Sequence, residues 1–413
     1  MRRVVITGIG ALTPIGNNVP EYLEGLKNGV SGAGEISHFD AANFKTRFAC
    51  EVKGFQPELY FDRKEVRKND RFTQFAIACT QEAIEISGLD LDKIDKNKVG
   101  VIWASGIGGL GTLESEIADF VKNPEMPRFN PFMIPKMIAN MAAGMIAIRW
   151  GFGGVNYAPV SACASSSHAL INAFDYIRLG RANVIISGGS EAVITTTAVG
   201  GFTSMKAMSE RNDDPQTASR PYDKDRDGFV LGEGAGCIIL EEYEHAVARG
   251  AKIYCEVVGA GMTCDAYHMS APHPDGIGVI RVMHEALNDA GIDPTLVDYI
   301  NTHGTSTPLG DGAELIAIKS VFGDCVYDVN ISSTKSMTGH LLGAAGAIEA
   351  VATVLAMEYS FIPPTINHFT DDPELDPKLN LTFNTMQKRE VKFAMSNTFG
   401  FGGHNTSVIF KKL

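Results

Sequence analysis

Two periods of apolar positions alternate along this chain. Short apolar runs bounded by glycine or polar residues predict strands at 4–10, 99–104, 155–160, 184–186, 253–260, 298–303, 329–333, 393–397 and 408–410. Between them, apolar side chains recur at three- and four-residue spacing and predict helices at 21–27, 131–150, 278–290, 311–321 and 341–357. Asp70 is placed to cap a further helix, whose stripe is Phe72, Phe75, Cys79, Ala83 and Ile86 and whose stop is Gly88. Residues 44–53 read as strand or hairpin. Around Ala251 the alternation restarts. The pattern predicts an α/β fold of two similar halves, 1–250 and 251–413, packed face to face with a site between their strand ends. That duplication comes from pattern alone, because the two halves show no close sequence repeat.

Composition narrows the classes. Hydrophobic residues are 45% of the 413 and charged ones 20%, enough apolar surface for a large core and far from a disordered chain. A formal net charge of -12 argues against nucleic acid as a partner. One basic cluster, Arg63 to Lys68, stands out against that background; it is either a solvated surface or a dock for an acidic partner. No stretch reads as a signal peptide or a membrane span; 131–150 is too short and too interrupted, and reads as buried core or subunit interface. The seven cysteines are scattered without a pairing framework, so free thiols in a reducing, cytoplasmic setting are expected.

The chemistry centres on Cys163. Strand 155–160 runs into the small residues Ser161 to Ser167, and Leu170, Ile171, Phe174, Tyr176 and Ile177 then recur at helical spacing up to Gly180. A cysteine at a helix amino end meets unpaired N–H groups and partial positive charge, which favour the nucleophilic thiolate. The alternative is a buried cysteine acting as a small hydrophobe. Three more polar features sit at strand ends or helix starts: His303, Lys335 and His340. Each histidine alone is more often structural than catalytic; two of them framed by Gly and Thr, with a cysteine in the same topological position, point to thioester chemistry. Glycine-flanked Phe401 can present a backbone N–H to an oxyanion.

Two motifs point elsewhere. Gly106-Ile107-Gly108-Gly109-Leu110-Gly111 matches a dinucleotide loop, but the acid at the right spacing, Glu125, lies between prolines instead of on a strand. Close passage of backbones or of a long chain suits those glycines better. Asp223 to Gly228 copies half a calcium loop, but Gly234 stands where the closing Glu belongs, so a charged structural turn is expected.

Cys163 in Ser161-Ala162-Cys163-Ala164-Ser165-Ser166, with His303-Gly304-Thr305-Ser306-Thr307, Lys335-Ser336-Met337-Thr338-Gly339-His340 and Asn397-Thr398-Phe399-Gly400-Phe401-Gly402-Gly403, resembles the signatures of the β-ketoacyl-acyl-carrier-protein synthases. The resemblance spans essentially the whole chain, and the opening Val4 to Gly10 is most similar to the synthase II branch. It implies a thiolase-like fold, two α/β halves in a five-layer αβαβα sandwich. It implies a decarboxylative Claisen condensation. Cys163 would carry the acyl group, His303 and His340 would stabilise the enolate, and the Cys163 and Phe401 N–H groups would hold the oxyanion. Lys335, paired with Glu349, would support His340. Thr305 and Thr307 would bind a pantetheine arm, Phe399 would line the substrate site, Phe401 would gate the acyl tunnel, and Ile107 would line it. Lys64, Arg67, Lys68 and Lys206 would dock the acidic carrier protein. The 4′-phosphopantetheine arrives on that carrier, so no resident cofactor is implied. Relatives also suggest a structural cation near Asn301, Glu349, Ser396 and Asn397, and a homodimer. His404 departs from the usual Thr and reads as a backbone brace.

Four rival readings separate cleanly. A non-catalytic chain-length or scaffold subunit should lack the nucleophile. A polyketide-type ketosynthase shares the chemistry but often sits among fused domains. A nicotinamide oxidoreductase would bind NAD(P)H. A thiol hydrolase would release free acid.

Overall fold

A computed structural model describes residues 1–413. Ten strands carry the fold: β1 (Val4–Leu12), β2 (Val99–Ala104), β3 (Asn156–Tyr157), β4 (Val184–Glu191), β5 (Gly234–Glu242), β6 (Cys255–Cys264), β7 (Tyr299–Asn301), β8 (Asn330–Ser332), β9 (Phe393–Gly400) and β10 (His404–Lys411). Their spatial order is β8-β7-β9-β10-β6-β1-β5-β4-β2-β3. Read inward from either edge, the two halves are the same: β3-β2-β4-β5-β1 and β8-β7-β9-β10-β6. Polarity repeats too. The first two pairings of each half are parallel and the next two antiparallel. The halves are not separate sheets, however. Val4, Val5 and Ile6 of β1 pair with Val257, Glu256 and Cys255 of β6, which makes the sheet continuous across the middle.

Helices fill three layers. Helices α1 (Arg71–Ser87) and α2 (Met141–Trp150) cover the outer face of the first half. α3 (Ser165–Arg178) and α6 (Ala345–Tyr359) lie between the halves. α4 (Ile277–Ala290) and α5 (Pro308–Phe322) cover the second half. The three largest apolar clusters follow these layers. Along β5, Ile238 and Leu240 face the central helices, while Cys237 and Ile239 face α1, the period-two alternation of a strand buried on both faces. α6 is mostly apolar and buried from Ala345 to Met357, as a central helix must be, with Glu349 its one buried charge. The segment long and apolar enough to cross a membrane, Leu342–Tyr359, is this core helix and is 89% buried inside the fold.

Three predicted elements differ in the structure, and β5 is a strand that the sequence pattern did not predict. Residues 131–150 are two helices, Met133–Met137 and α2, because the chain turns extended at Ile138; the break frees the Met137 carbonyl to accept from Gly109 N at 2.9 Å. Much of this stretch is exposed: Phe132, Ile134, Ile138 and Ile148 face outward, as does Phe129 just before it. Strand 155–160 shrinks to Asn156–Tyr157 at the sheet edge, since Pro159 offers no N–H to a ladder. From 44–53 Phe48–Ala49 pairs with Gly34–Glu35, and Cys50 bridges to Gly232.

Candidate active site

The chain leaves β3 and enters α3 through a tight turn. Ala162 adopts φ +50°, the left-handed region that costs an L-residue roughly 1–2 kcal/mol. Two bonds through one side chain hold it there: Ser161 N donates to Ser165 Oγ at 2.8 Å, and Ser165 Oγ donates to the Ala162 carbonyl at 2.6 Å. The next residue is Cys163, only 8% exposed, on the wall of a cavity of about 610 Å³. Its Sγ is 3.0 Å from His340 Nε2. Burial pushes the Cys163 thiol up to about 12, with the Lys335 charge and the Phe401 N–H pulling the other way. The thiolate expected from the helix end is therefore not the resting form. Desolvation of the sulfur outweighs it, and ionisation has to accompany the reaction.

His303 and His340 come from matching places in the second half, after β7 and after β8. Their rings meet edge to face with centroids 5.3 Å apart. Glu314 fixes the first: its carboxylate accepts from His303 N at 2.9 Å and Gly304 N at 2.8 Å. The second is strapped through its backbone, donating to the Val230 carbonyl at 2.7 Å and accepting from Gly232 N at 2.9 Å. Both Nδ1 atoms are buried without a partner. Burial first, then the charge of Lys335, holds both imidazoles well below their usual pKa, so both are neutral; His340 adds to the effect on His303. Lys335 is itself buried and pairs with Glu349. Burial pushes Glu349 up to about 7 against the pull of that lysine. Thr398 Oγ1 lies 3.4 Å from the other carboxylate oxygen.

Phe401 sits in the turn between β9 and β10, with its backbone N–H facing the Cys163 sulfur closely enough to favour the thiolate. The approach is close. A Cβ on Gly400 would stand 2.8 Å from the Ser161 carbonyl and 3.1 Å from Cys163 N. Gly400→Ala is expected to push the nucleophile turn away from the Phe401 turn, costing about 1–3 kcal/mol of stability and slowing acylation of Cys163; a denaturation curve and an acylation time course check both parts.

The cavity also gathers Ile107, Thr305, Thr307, Phe399 and Lys206. The Thr305 and Thr307 hydroxyls are 3.1 Å apart, and the Phe399 ring is 5.5 Å from that of His303. Lys64, Arg67 and Lys68 are exposed on the short helix Arg63–Lys68 and do not line the cavity; the Lys68 ammonium lies 5.3 Å over the Phe132 ring. Ser396 and Asn301 are neighbours across β9 and β7. Asn301 Oδ1 and Asn397 Oδ1 are buried without partners, oxygen donors that fit a hard cation, although Glu349 is already committed to Lys335.

The two misleading motifs have structural explanations. The amides of Gly106, Ile107 and Gly343 all donate to the Glu191 carboxylate, at 2.8, 3.2 and 3.0 Å, so the loop that resembles a pyrophosphate cradle holds a side chain of its own protein. Asp223 accepts from the backbone N–H groups of Asp225, Phe369 and Thr370, and Arg226 reaches Asp372 at 2.6 Å. Sequence reasoning missed Glu191, Glu314 and His168. An acid after the small residues that follow the apolar run 184–186 was the available signal for Glu191; Glu314 and His168 sit unmarked in helices.

Comparison with known proteins agrees with the geometry. Residues 1–246 match the family model for the β-ketoacyl synthase N-terminal domain, and 254–369 match that for the C-terminal domain. A 3-oxoacyl-[acyl-carrier-protein] synthase 2 of Synechocystis is 51% identical over 100% of this chain and 98% of its own. A crystal structure of a β-ketoacyl synthase from Burkholderia phymatum superposes with a TM-score of 0.93 at 35% identity, covering 100% of both chains. A type II polyketide ketosynthase solved in complex with its acyl-carrier protein gives 0.92 at 33% identity, over 100% of this chain and 99% of that one.

Proposed function

This chain belongs to the β-ketoacyl synthase family, and from that membership we propose that it lengthens an acyl chain by two carbons through decarboxylative condensation with malonyl-acyl-carrier protein, as in fatty-acid elongation. The observation that carries the proposal is the Cys163 Sγ–His340 Nε2 contact of 3.0 Å beside a second neutral imidazole. Cys163 attacks the acyl thioester; the departing carrier thiolate takes up the proton the thiol gives up, and an acyl-Cys163 remains. Malonyl-carrier protein then enters. Its carboxylate leaves as CO2, and the electron pair moves onto the thioester as an enolate. His303 and His340 donate to that enolate oxygen. The carbanion attacks acyl-Cys163, the Cys163 and Phe401 N–H groups hold the tetrahedral oxyanion, and collapse expels the Cys163 thiolate, which takes up one proton from solvent to restore the thiol. The product is the 3-oxoacyl thioester on the carrier.

Thr305 and Thr307 offer hydroxyls to the pantetheine arm, and Ile107 and Phe399 line the acyl and substrate walls of the same cavity. The arm arrives on the carrier protein, so no resident cofactor is needed. Lys64, Arg67, Lys68 and Lys206 give a basic dock on a chain of net charge -12, suited to an acidic carrier. The exposed apolar side chains from Phe129 to Ile148 support a homodimer. A cation held by Asn301, Ser396 and Asn397, with Glu349 nearby, would satisfy two orphaned oxygens. Seven free cysteines support a cytoplasmic location.

Mass spectrometry of acyl-carrier protein plus malonyl-carrier protein tests the reading. The 3-oxo product two carbons longer supports it; free fatty acid would assign a hydrolase, and no product a scaffold. The histidine environment adds a pH test. Both rings titrate well below 6.5, so lowering the pH from 8 to 6 adds no proton to either. The malonyl decarboxylation rate is therefore expected to show no acid limb near pH 6.5. A half-maximal point at that pH would mean that the rings are ordinary, solvated imidazoles.

A further inference from the structure

Beneath the two oxyanion turns lies a second pair of histidines that lines no part of the cavity. His168 stands in the first turn of α3, with Nδ1 2.6 Å from Ser161 Oγ. Ser161 opens the strained turn that aims the Cys163 N–H. On its other side the His168 ring meets His404 edge to face, with centroids 6.2 Å apart and planes at 88°. His404 is the first residue of β10, opposite Gly400 in register. Its ring lies under the Phe401 turn: a Cβ on Gly402 would stand 3.0 Å from His404 Nε2. Each imidazole thus braces one of the two backbone donors. Burial, reinforced by His404, pulls the pKa of His168 down to about 4, so it remains an uncharged spacer at neutral pH.

We propose that His168 and His404 are positioning residues that set the spacing between the Cys163 and Phe401 N–H donors, His168 acting through Ser161 and His404 through Gly402. The proposal rests on the condensing reaction described above. It separates two half-reactions. Acyl transfer needs the oxyanion donors, whereas malonyl decarboxylation without an acyl group needs only His303 and His340.

The test measures both rates, with an acyl-carrier protein and a malonyl-carrier protein as probes. His168→Phe keeps a ring against His404 but has no atom for Ser161. Acylation of Cys163 is expected to slow about 10- to 100-fold, as for a misplaced oxyanion donor, with KM and decarboxylation within about two-fold of wild type. His168→Asn retains a polar atom near Nδ1 and should recover to within about three-fold. Ser161→Ala should match His168→Phe, and the double variant should be no worse than either. His404→Ala should give the same split between the two rates. Unimpaired acylation in His168→Phe, an equal loss of both rates, or additive losses in the double variant would overturn the proposal. If His168→Phe does not fold, Ser161→Ala alone decides by the same split. An unmodified wild-type Cys163 would instead sink the condensing function itself.

Discussion

Cys163→Ala abolishes condensation, by roughly 10⁴-fold or more, and leaves decarboxylation of malonyl-carrier protein in place. The size follows from the role: removing a covalent nucleophile leaves no alternative route to the acyl-enzyme. The split follows from the geometry. The two histidines that would stabilise the enolate are held through their backbones, His303 by Glu314 and His340 by Val230 and Gly232, and those straps remain when the sulfur is removed. Both stay neutral because of burial and Lys335, which the substitution does not touch. The small Ala also fits the turn, whose strain belongs to Ala162 and whose straps run through Ser161 and Ser165. Intact-mass spectra of the variant with acyl-carrier protein should show no added acyl group, while CO2 release from malonyl-carrier protein continues. An acyl adduct on the variant would move the nucleophile to another residue.

The strength of the sequence reading lay where chemistry and topology coincide. Cys163 follows β3 and precedes α3; Lys335 and His340 follow β8 and precede α6, the same place in the other half. Two matching crossovers therefore point their strand-to-helix turns at one another across the central helix layer. A pattern of strand, polar turn and helix, repeated after residue 250, carries that information without any sequence repeat. Small apolar runs also located nine of the ten strands' cores, because a strand buried on both faces is written as a continuous apolar run. The exception in length was β3, an unburied edge strand that stops short of Pro159.

What stayed hidden depends on long-range pairing. Glu191 lies five residues past the predicted strand 184–186, and only folding brings the Gly106 and Gly343 amides to its carboxylate. The glycine loop then loses its dinucleotide meaning, because its donors are already satisfied. His168 occupies an ordinary helix position, and its partner Ser161 is seven residues away, a spacing with no motif. The thiol also escaped a local reading. Helix position argued for an easily ionised cysteine; the tertiary enclosure around it argues the opposite and is the larger effect.

The Lys335–Glu349 pair gives the largest effect on stability. Both side chains are 2% exposed, so Lys335→Met leaves a buried carboxylate without its counter-ion. Breaking a buried pair in this way costs about 3–5 kcal/mol, more than the ammonium and carboxylate repay when replaced together. Lys335→Met is therefore expected to unfold at clearly lower denaturant, and Lys335→Met with Glu349→Leu to regain much of that loss. Glu349, already raised to about 7 by burial, would be raised further in the single variant, so its deficit should shrink as the pH falls toward 7 and level off below it. The sign is fixed by linkage: a carboxyl whose folded pKa lies above the unfolded value weakens the fold as pH rises through that interval, and a further upward shift extends the loss to higher pH. Activity should not follow stability. Lys335 depresses both histidines and pulls the Cys163 thiol down, so the refolded double variant lacks the charge that tunes all three groups. Denaturation midpoints at pH 6 and 8 beside condensation rates separate the two roles. A double variant that is both stable and fully active would reduce Lys335 to a packing residue, whereas one that is stable and slow places its charge in the reaction.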